Sequence, residues 1–196
     1  MANQEHLDIF RQGIDTWNTW RENHPEIRPD LSGITLMRAD LSGIDLQGVD
    51  VRGAILVSAN LSHANLRIAD FSGANLQGAN LEDADLSEAG LAGAQLAGAN
   101  LQRANLGNAD LYGTTFSIAK LVGANLRYAH LNGADFGQAD LTEVDLSQSN
   151  LRGASFLGAN LTNTILKKSS LDHINFRQRD LSKSILILDT TDGPEK

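Results

Sequence analysis

Cysteine is absent from the 196 residues, so this chain has neither a disulfide framework nor a thiolate metal site. Proline occurs three times, at Pro25, Pro29 and Pro194, which leaves residues 30–193 without its chain-breaking geometry. Aromatic residues make up 5% of the chain against 41% hydrophobic residues overall, so the interior must be aliphatic. No apolar run approaches the length needed to span a bilayer. The first 25 residues carry Glu5, Asp8, Asp15 and Glu22 without an apolar stretch, and no secretory signal is expected from them. Basic residues are the minority, 16 against 24 acidic, for a net charge of −8. That balance argues against sequence-independent binding to DNA or to an anionic membrane, both of which need a basic stripe.

What is present is a repeat. From Leu31 to Leu186 every fifth residue is Leu, Phe or Val, through 32 positions without a gap. Twenty-six are Leu, one is Val51, and five are Phe71, Phe116, Phe136, Phe156 and Phe176. The residue two before each centre is Ala in 20 of 31 units, and the one just before is Asp or Asn in 20 of 31. Gly stands two after the centre in 13 of 31. Ala74-Asn75-Leu76-Gln77-Gly78 is a representative unit.

A period of five suits neither common element. On an α-helix, five residues advance about 500°, which would spread the leucines over every face. On a flat strand, an odd period sends successive leucines to opposite faces. One shared core requires the chain to turn after each unit; four quarter turns make a coil of 20 residues with the centre and the small residue pointing inward. Phe116, Phe136, Phe156 and Phe176 support four sides, because their spacing of 20 stacks them in a single column. Phe71 falls on an adjacent side. Thirty-two units then give about eight coils, each touching only its neighbours, so both ends of the column need covers.

Residues 1–30 precede the repeat. Leu7, Phe10, Ile14 and Trp17 recur at helical spacing, and with Trp20 they are expected to form a capping helix that ends before Pro25 and Pro29. The β-helix is expected over residues 31–188 and a polar tail over 189–196. Ile165 and Ile185 stand 20 residues apart at a normally polar position, near Ile187 and Leu188. This outward patch is read either as a self-association surface joining two copies through the C-terminal coil, or as a seat for the tail from Asp189. Residues 31–166 carry a net charge of −6 and residues 167–186 a net of +3.

Chemistry-bearing patterns are scarce. His63, His130 and His173 sit at outward positions on different sides or distant coils, too far apart to share a metal. Phosphate-loop, nucleophile-elbow and zinc-helix motifs are missing. Asp50 and Asp70 are neighbours across one coil, but paired carboxylates work as acid and base only in a cleft that shifts a pKa. His63, Asp83 and Arg103 share a column that reads as a charge ladder. Catalytic, metal and cofactor residues are therefore expected to be none.

The run of Ala-(Asp/Asn)-Leu-x-x units, over about 156 of the 196 residues, resembles the pentapeptide repeat family. The segment Trp17-Asn18-Thr19-Trp20-Arg21 with Pro25 and Pro29 is similar to a leader on bacterial, notably cyanobacterial, members. The resemblance implies an all-β solenoid, a right-handed quadrilateral β-helix, and a non-enzymatic structural or protein-interaction role in the cytoplasm with a protein partner yet to be identified. One branch consists of acidic rod-like dimers that bind type II topoisomerases such as gyrase by DNA mimicry and confer quinolone resistance. That role is the alternative expectation. This chain departs from the branch in its Leu rather than Phe centres, its lack of Cys, and its coils uninterrupted by a loop.

Overall fold

The computed structural model describes residues 2–171 and 173. From Asp30 onward the chain forms a four-sided coil. Twenty-five single-residue parallel bridges run from Asp30–Asp50 to Asn150–Ser170, and every one joins residues 20 apart. The described repeat thus closes seven coils between residues 31 and 170, about 34 Å long at the usual inter-strand spacing. The expected eighth coil, with Phe176, Ile185, Ile187 and Leu188, and the expected tail from Asp189 lie outside the described residues.

Each side is a three-residue extended segment followed by a two-residue corner. At every corner from position 33 to 173 the residue two after the centre has φ between +51° and +74°. Thirteen of these are Gly and sixteen are not. With the N–H of residue i+3 donating back to the centre carbonyl, as from Ile34 to Leu31 at 3.2 Å, the corner is a type II turn. Gly takes that conformation without cost, while a side chain there costs about 1–2 kcal/mol. The Asp or Asn before each centre serves the same corner. The N–H of Ser32 donates to Asp30 Oδ1 at 2.9 Å and that of Gln77 to Asn75 Oδ1 at 3.2 Å, an Asx turn that closes from the other side. Along the outside, the amides also chain from coil to coil. Asn80 Nδ2 donates to Asn60 Oδ1 at 3.1 Å, and Asn100 to Asn80 at 3.0 Å.

The interior is two kinds of column. The leucines at the centre position from Leu41 to Leu166 are buried, and the alanines beside them are equally enclosed. Among the described residues, polar side chains at the small position have partners: Thr114 Oγ1 donates to the Leu91 carbonyl and Thr164 Oγ1 to that of Leu141, both at 2.8 Å. The phenylalanines stack along the second side, with centroids 4.9 Å apart for Phe116–Phe136 and 5.0 Å for Phe136–Phe156. Their planes lie within 4° and 11° of parallel. Phe71 is buried on the first side.

The N-terminal segment differs from the expected single helix. It forms two: α1, Gln4–Phe10, and α2, Ile14–Asn23. Asn3 caps α1 by accepting from the Glu5 N–H at 2.9 Å. Gly13 separates the helices at φ 104°, outside the range an L-residue adopts comfortably, so the helical spacing of Leu7, Phe10, Ile14 and Trp17 continues through a break. All four still face the end of the leucine column.

Candidate interaction surface at the first coil

A parallel solenoid exposes backbone hydrogen-bonding groups at its first coil. Inside the rod these groups pair in a fixed way. The N–H of a bridging residue donates to the small residue's carbonyl one coil back, as from Ile55 to Ile34 at 2.8 Å. Its own carbonyl accepts from the centre one coil back, as from Leu36 at 2.8 Å, and the next carbonyl accepts from the corner, as Val57 does from Arg38 at 2.9 Å. The first coil, residues 30–49, has no coil before it.

On two of its sides the N-terminal helices supply substitutes. On the first side, the Asn3 N–H donates to the Asp30 carbonyl at 3.0 Å, and the Asp30 N–H donates to His6 Nδ1 at 3.0 Å. On the fourth side, Trp17 Nε1 donates to the Asp45 carbonyl at 2.7 Å, and the Asp45 N–H donates to Asn18 Oδ1 at 2.9 Å. Arg21 completes it, donating from NH2 to the Gln47 carbonyl at 2.6 Å and from NH1 to the Ile27 carbonyl at 2.8 Å. Trp17 and Arg21 are buried. Trp20 is half-buried and lies between Trp17 and His24, at centroid distances of 5.5 and 5.0 Å.

The second and third sides receive no such cover. Among the described residues, the N–H and C=O of Thr35 and Asp40 and the carbonyls of Met37 and Ser42 have no hydrogen-bond partner. Beneath them opens a groove of about 580 Å³ lined by Leu7, Phe10, Ile14, Ile34, Leu36 and Ala39 among others. These six are only partly buried, and Met37 beside them is 55% exposed. The two charges on the groove wall are already engaged. Arg11 pairs with Asp8 at 3.1 Å, and Asp40 accepts from the Ser42 N–H and from Asn60 Nδ2.

Of the residues singled out by sequence, the structure brings Leu7, Phe10, Ile14, Trp17 and Trp20 together at this end. Ile165 lies at the far end, half-buried on the fourth side and bridged to Asp145. Asn3, His6, Asn18 and Arg21, which make the edge contacts, carry no periodic signal. Of these, only Asn3, an N-cap residue type ahead of a helical pattern, is marked in the sequence.

On the outer faces, two carboxylate columns are paired with arginines. Arg52 bonds Asp50 at 2.9 and 2.6 Å and lies 3.7 Å from Asp70. The Arg52 side-chain hydrogen bond holds the Asp50 carboxyl below the ordinary carboxylate range, opposite to the raised value a general acid needs. In the next ladder Arg103 bonds Asp83 at 2.8 and 2.7 Å and also reaches Glu82, which lowers the pKa of Asp83, while His63 lies 3.9 Å from it. Among the described residues no group of three His, Asp or Glu is placed to hold a metal ion, and no helix is long and apolar enough to cross a membrane.

Four-sided coils with a five-residue side, aliphatic columns and polar outer faces define a β-solenoid repeat protein. The family model for pentapeptide repeats matches in eight copies, over residues 30–72, 68–102, 79–117, 89–127, 119–156 and 139–178. The chain belongs to the pentapeptide repeat family, whose members fold as right-handed quadrilateral β-helices. Among solved structures it is similar to HetL, a pentapeptide repeat protein involved in heterocyst differentiation regulation in the cyanobacterium Nostoc sp. strain PCC 7120. Identity there is 27% over 79% of this chain and 92% of that one, with a TM-score of 0.30. A pentapeptide repeat protein of the Arabidopsis thaliana thylakoid lumen matches at 30% identity over 59% of this chain and 70% of that one, with a TM-score of 0.36. QnrB1, a plasmid-mediated fluoroquinolone resistance protein, matches at 21% over 78% and 85%, with a TM-score of 0.33. No curated protein matches.

Proposed function

We propose that this protein is a non-enzymatic interaction module of the cytoplasm, a rigid rod that presents a binding surface to a protein partner. The half-open first coil carries this reading. It combines unpaired backbone groups with an accessible apolar groove, whereas on the outer faces Asp50 and Asp83 are paired with arginines that hold their pKa below the ordinary range. Photo-crosslinking from position 37 in the native cell tests it. A discrete protein adduct, absent when the crosslinker stands at position 112 on the rod's outside, is the expected result. Equal labelling from both positions would discard the reading. Self-association through the last coil belongs to the same proposal, and light scattering of the wild type and Ile185→Asp separates a dimer from a monomer.

DNA mimicry at a type II topoisomerase demands an unbroken anionic stripe. Here Arg52, Arg103 and Arg127 interrupt the acidic columns and pair within them, which favours the interaction module. Gyrase supercoiling with and without a quinolone should be unaffected by micromolar protein; inhibition or protection would reinstate mimicry.

A further inference from the structure

We propose that the open half of the first coil binds an extended peptide segment of the pattern small–x–large apolar, added in parallel as an extra strand on the second and third sides. This rests on the interaction-module reading and names the partner's chemistry. The unpaired groups prescribe the backbone. By the pairing that holds in every later coil, the Thr35 N–H calls for the carbonyl of a small residue. The Thr35 carbonyl calls for the N–H of the residue two further on, and the Met37 carbonyl for an N–H at the following corner. Asp40 and Ser42 repeat the request on the third side. An extended backbone answers it, since a helix has no N–H or C=O free in that spacing.

The side chains prescribe the rest. The small residue would lie over Ile34 or Ala39 and the large apolar one over Leu36 or Leu41, continuing the inner columns, with Phe10 and Ile14 forming the outer wall. Because both wall charges are engaged, the groove suits an uncharged segment. A whole coil of a second copy is excluded by the cap itself: Asn3, His6, Trp17, Asn18 and Arg21 hold the backbone of the first and fourth sides, so half the end face is occupied. Two consecutive five-residue units fit the remaining half. The peptide would continue the parallel ladder from the point where the cap stops supplying it.

The probe is a labelled ten-residue peptide with two copies of Ala-Asn-Leu-Gln-Gly and blocked ends, titrated against the full chain by fluorescence anisotropy. Saturation in the range of about 10–300 µM is expected. Thr35→Pro removes one donor that has no intramolecular partner and should weaken binding about fivefold or more. Ile14→Asp, at the first position of α2 where an acidic residue suits the helix, should weaken it about tenfold by charging the wall. Ile118→Ser, four coils along the same side, should leave it unchanged. A peptide N-methylated at both leucines should not bind. Failure of the unmethylated peptide to saturate by about 1 mM would overturn the proposal, as would binding that Thr35→Pro and Ile14→Asp both leave intact. Either result concerns the groove alone, whereas equal crosslinking from positions 37 and 112 would defeat the interaction-module reading itself.

Discussion

Two halves of one coil, built from the same five-residue units, end in opposite states. On the first and fourth sides the backbone of residues 30 and 45 is paired to the N-terminal helices, and Leu31, Ile44 and Leu46 are buried. On the second and third sides the equivalent groups of Thr35 and Asp40 stand free, and Ile34, Leu36 and Ala39 remain partly exposed. Nothing in the repeat itself distinguishes the halves. The difference comes from where two short helices, turned by Gly13, are long enough to reach. An exposed parallel edge is an aggregation hazard in a repeat protein, and half of this one lies open beside an apolar groove, the opening on which the proposed interaction role rests.

The comparison can be broken first at Trp17. It is wholly buried and also donates to the Asp45 carbonyl, so Trp17→Ala should cost about 3–5 kcal/mol and uncover the fourth side, read as a lowered urea midpoint. A matched pair sharpens it next. Ile34 and Ile44 occupy the same inner position in adjacent halves, one partly exposed and one buried. Ile44→Ala should cost about 3–4 kcal/mol and Ile34→Ala about 1–2 kcal/mol by denaturant unfolding, and equal losses would erase the distinction. A backbone pair is subtler. Asp45→Pro forfeits the N–H bond to Asn18 together with the carboxylate's contacts to the Gln47 N–H, Asn65 and Arg21, and should cost about 2–3 kcal/mol, whereas Thr35→Pro forfeits no hydrogen bond and should cost less than about 1 kcal/mol.

The smallest effect is acid sensitivity shared by both halves. Hydrogen bonds to Ser32 and Ser42 lower the folded-state pKa of Asp30 and Asp40, and Arg103 does the same for Asp83 further along the rod. A depressed carboxylate adds stability above its unfolded value near 4, and that stability is lost as pH falls through the depressed value. The urea midpoint should therefore decline as pH falls below about 4. An asymmetric response in the Ile34→Ala and Ile44→Ala variants would show that the halves differ in electrostatics as well as in cover.

The four-sided coil is legible in the sequence because a single periodicity carries it. Spacing of 20 between Phe116, Phe136 and Phe156 specifies the number of sides before any backbone is seen, and the stacked rings show why that spacing is kept. The role of Asp and Asn before each centre is less plain. Their outward position is legible, but the hydrogen bond to the corner N–H two residues on depends on a conformation that sequence spacing does not encode. The cap is the least legible part. Leu7 to Trp17 keep helical spacing across Gly13, so the break is silent in the apolar pattern. Arg21 and Asn18 read as solvated helix residues until their partners, the carbonyls of Gln47 and Gly43, come into place from more than 20 residues away. The open groove follows from that uneven reach, a property of helix length and turn geometry rather than of the repeat.

Amide hydrogen exchange at four residues tests the half-open edge most directly. In the free protein the Asp30 and Asp45 N–H groups, bonded to His6 and Asn18, should exchange at least about tenfold more slowly than their intrinsic rates, while those of Thr35 and Asp40 should exchange near the unprotected rate. Equal protection at all four positions would contradict the account, because it would mean that the second and third sides are covered as fully as the first and fourth.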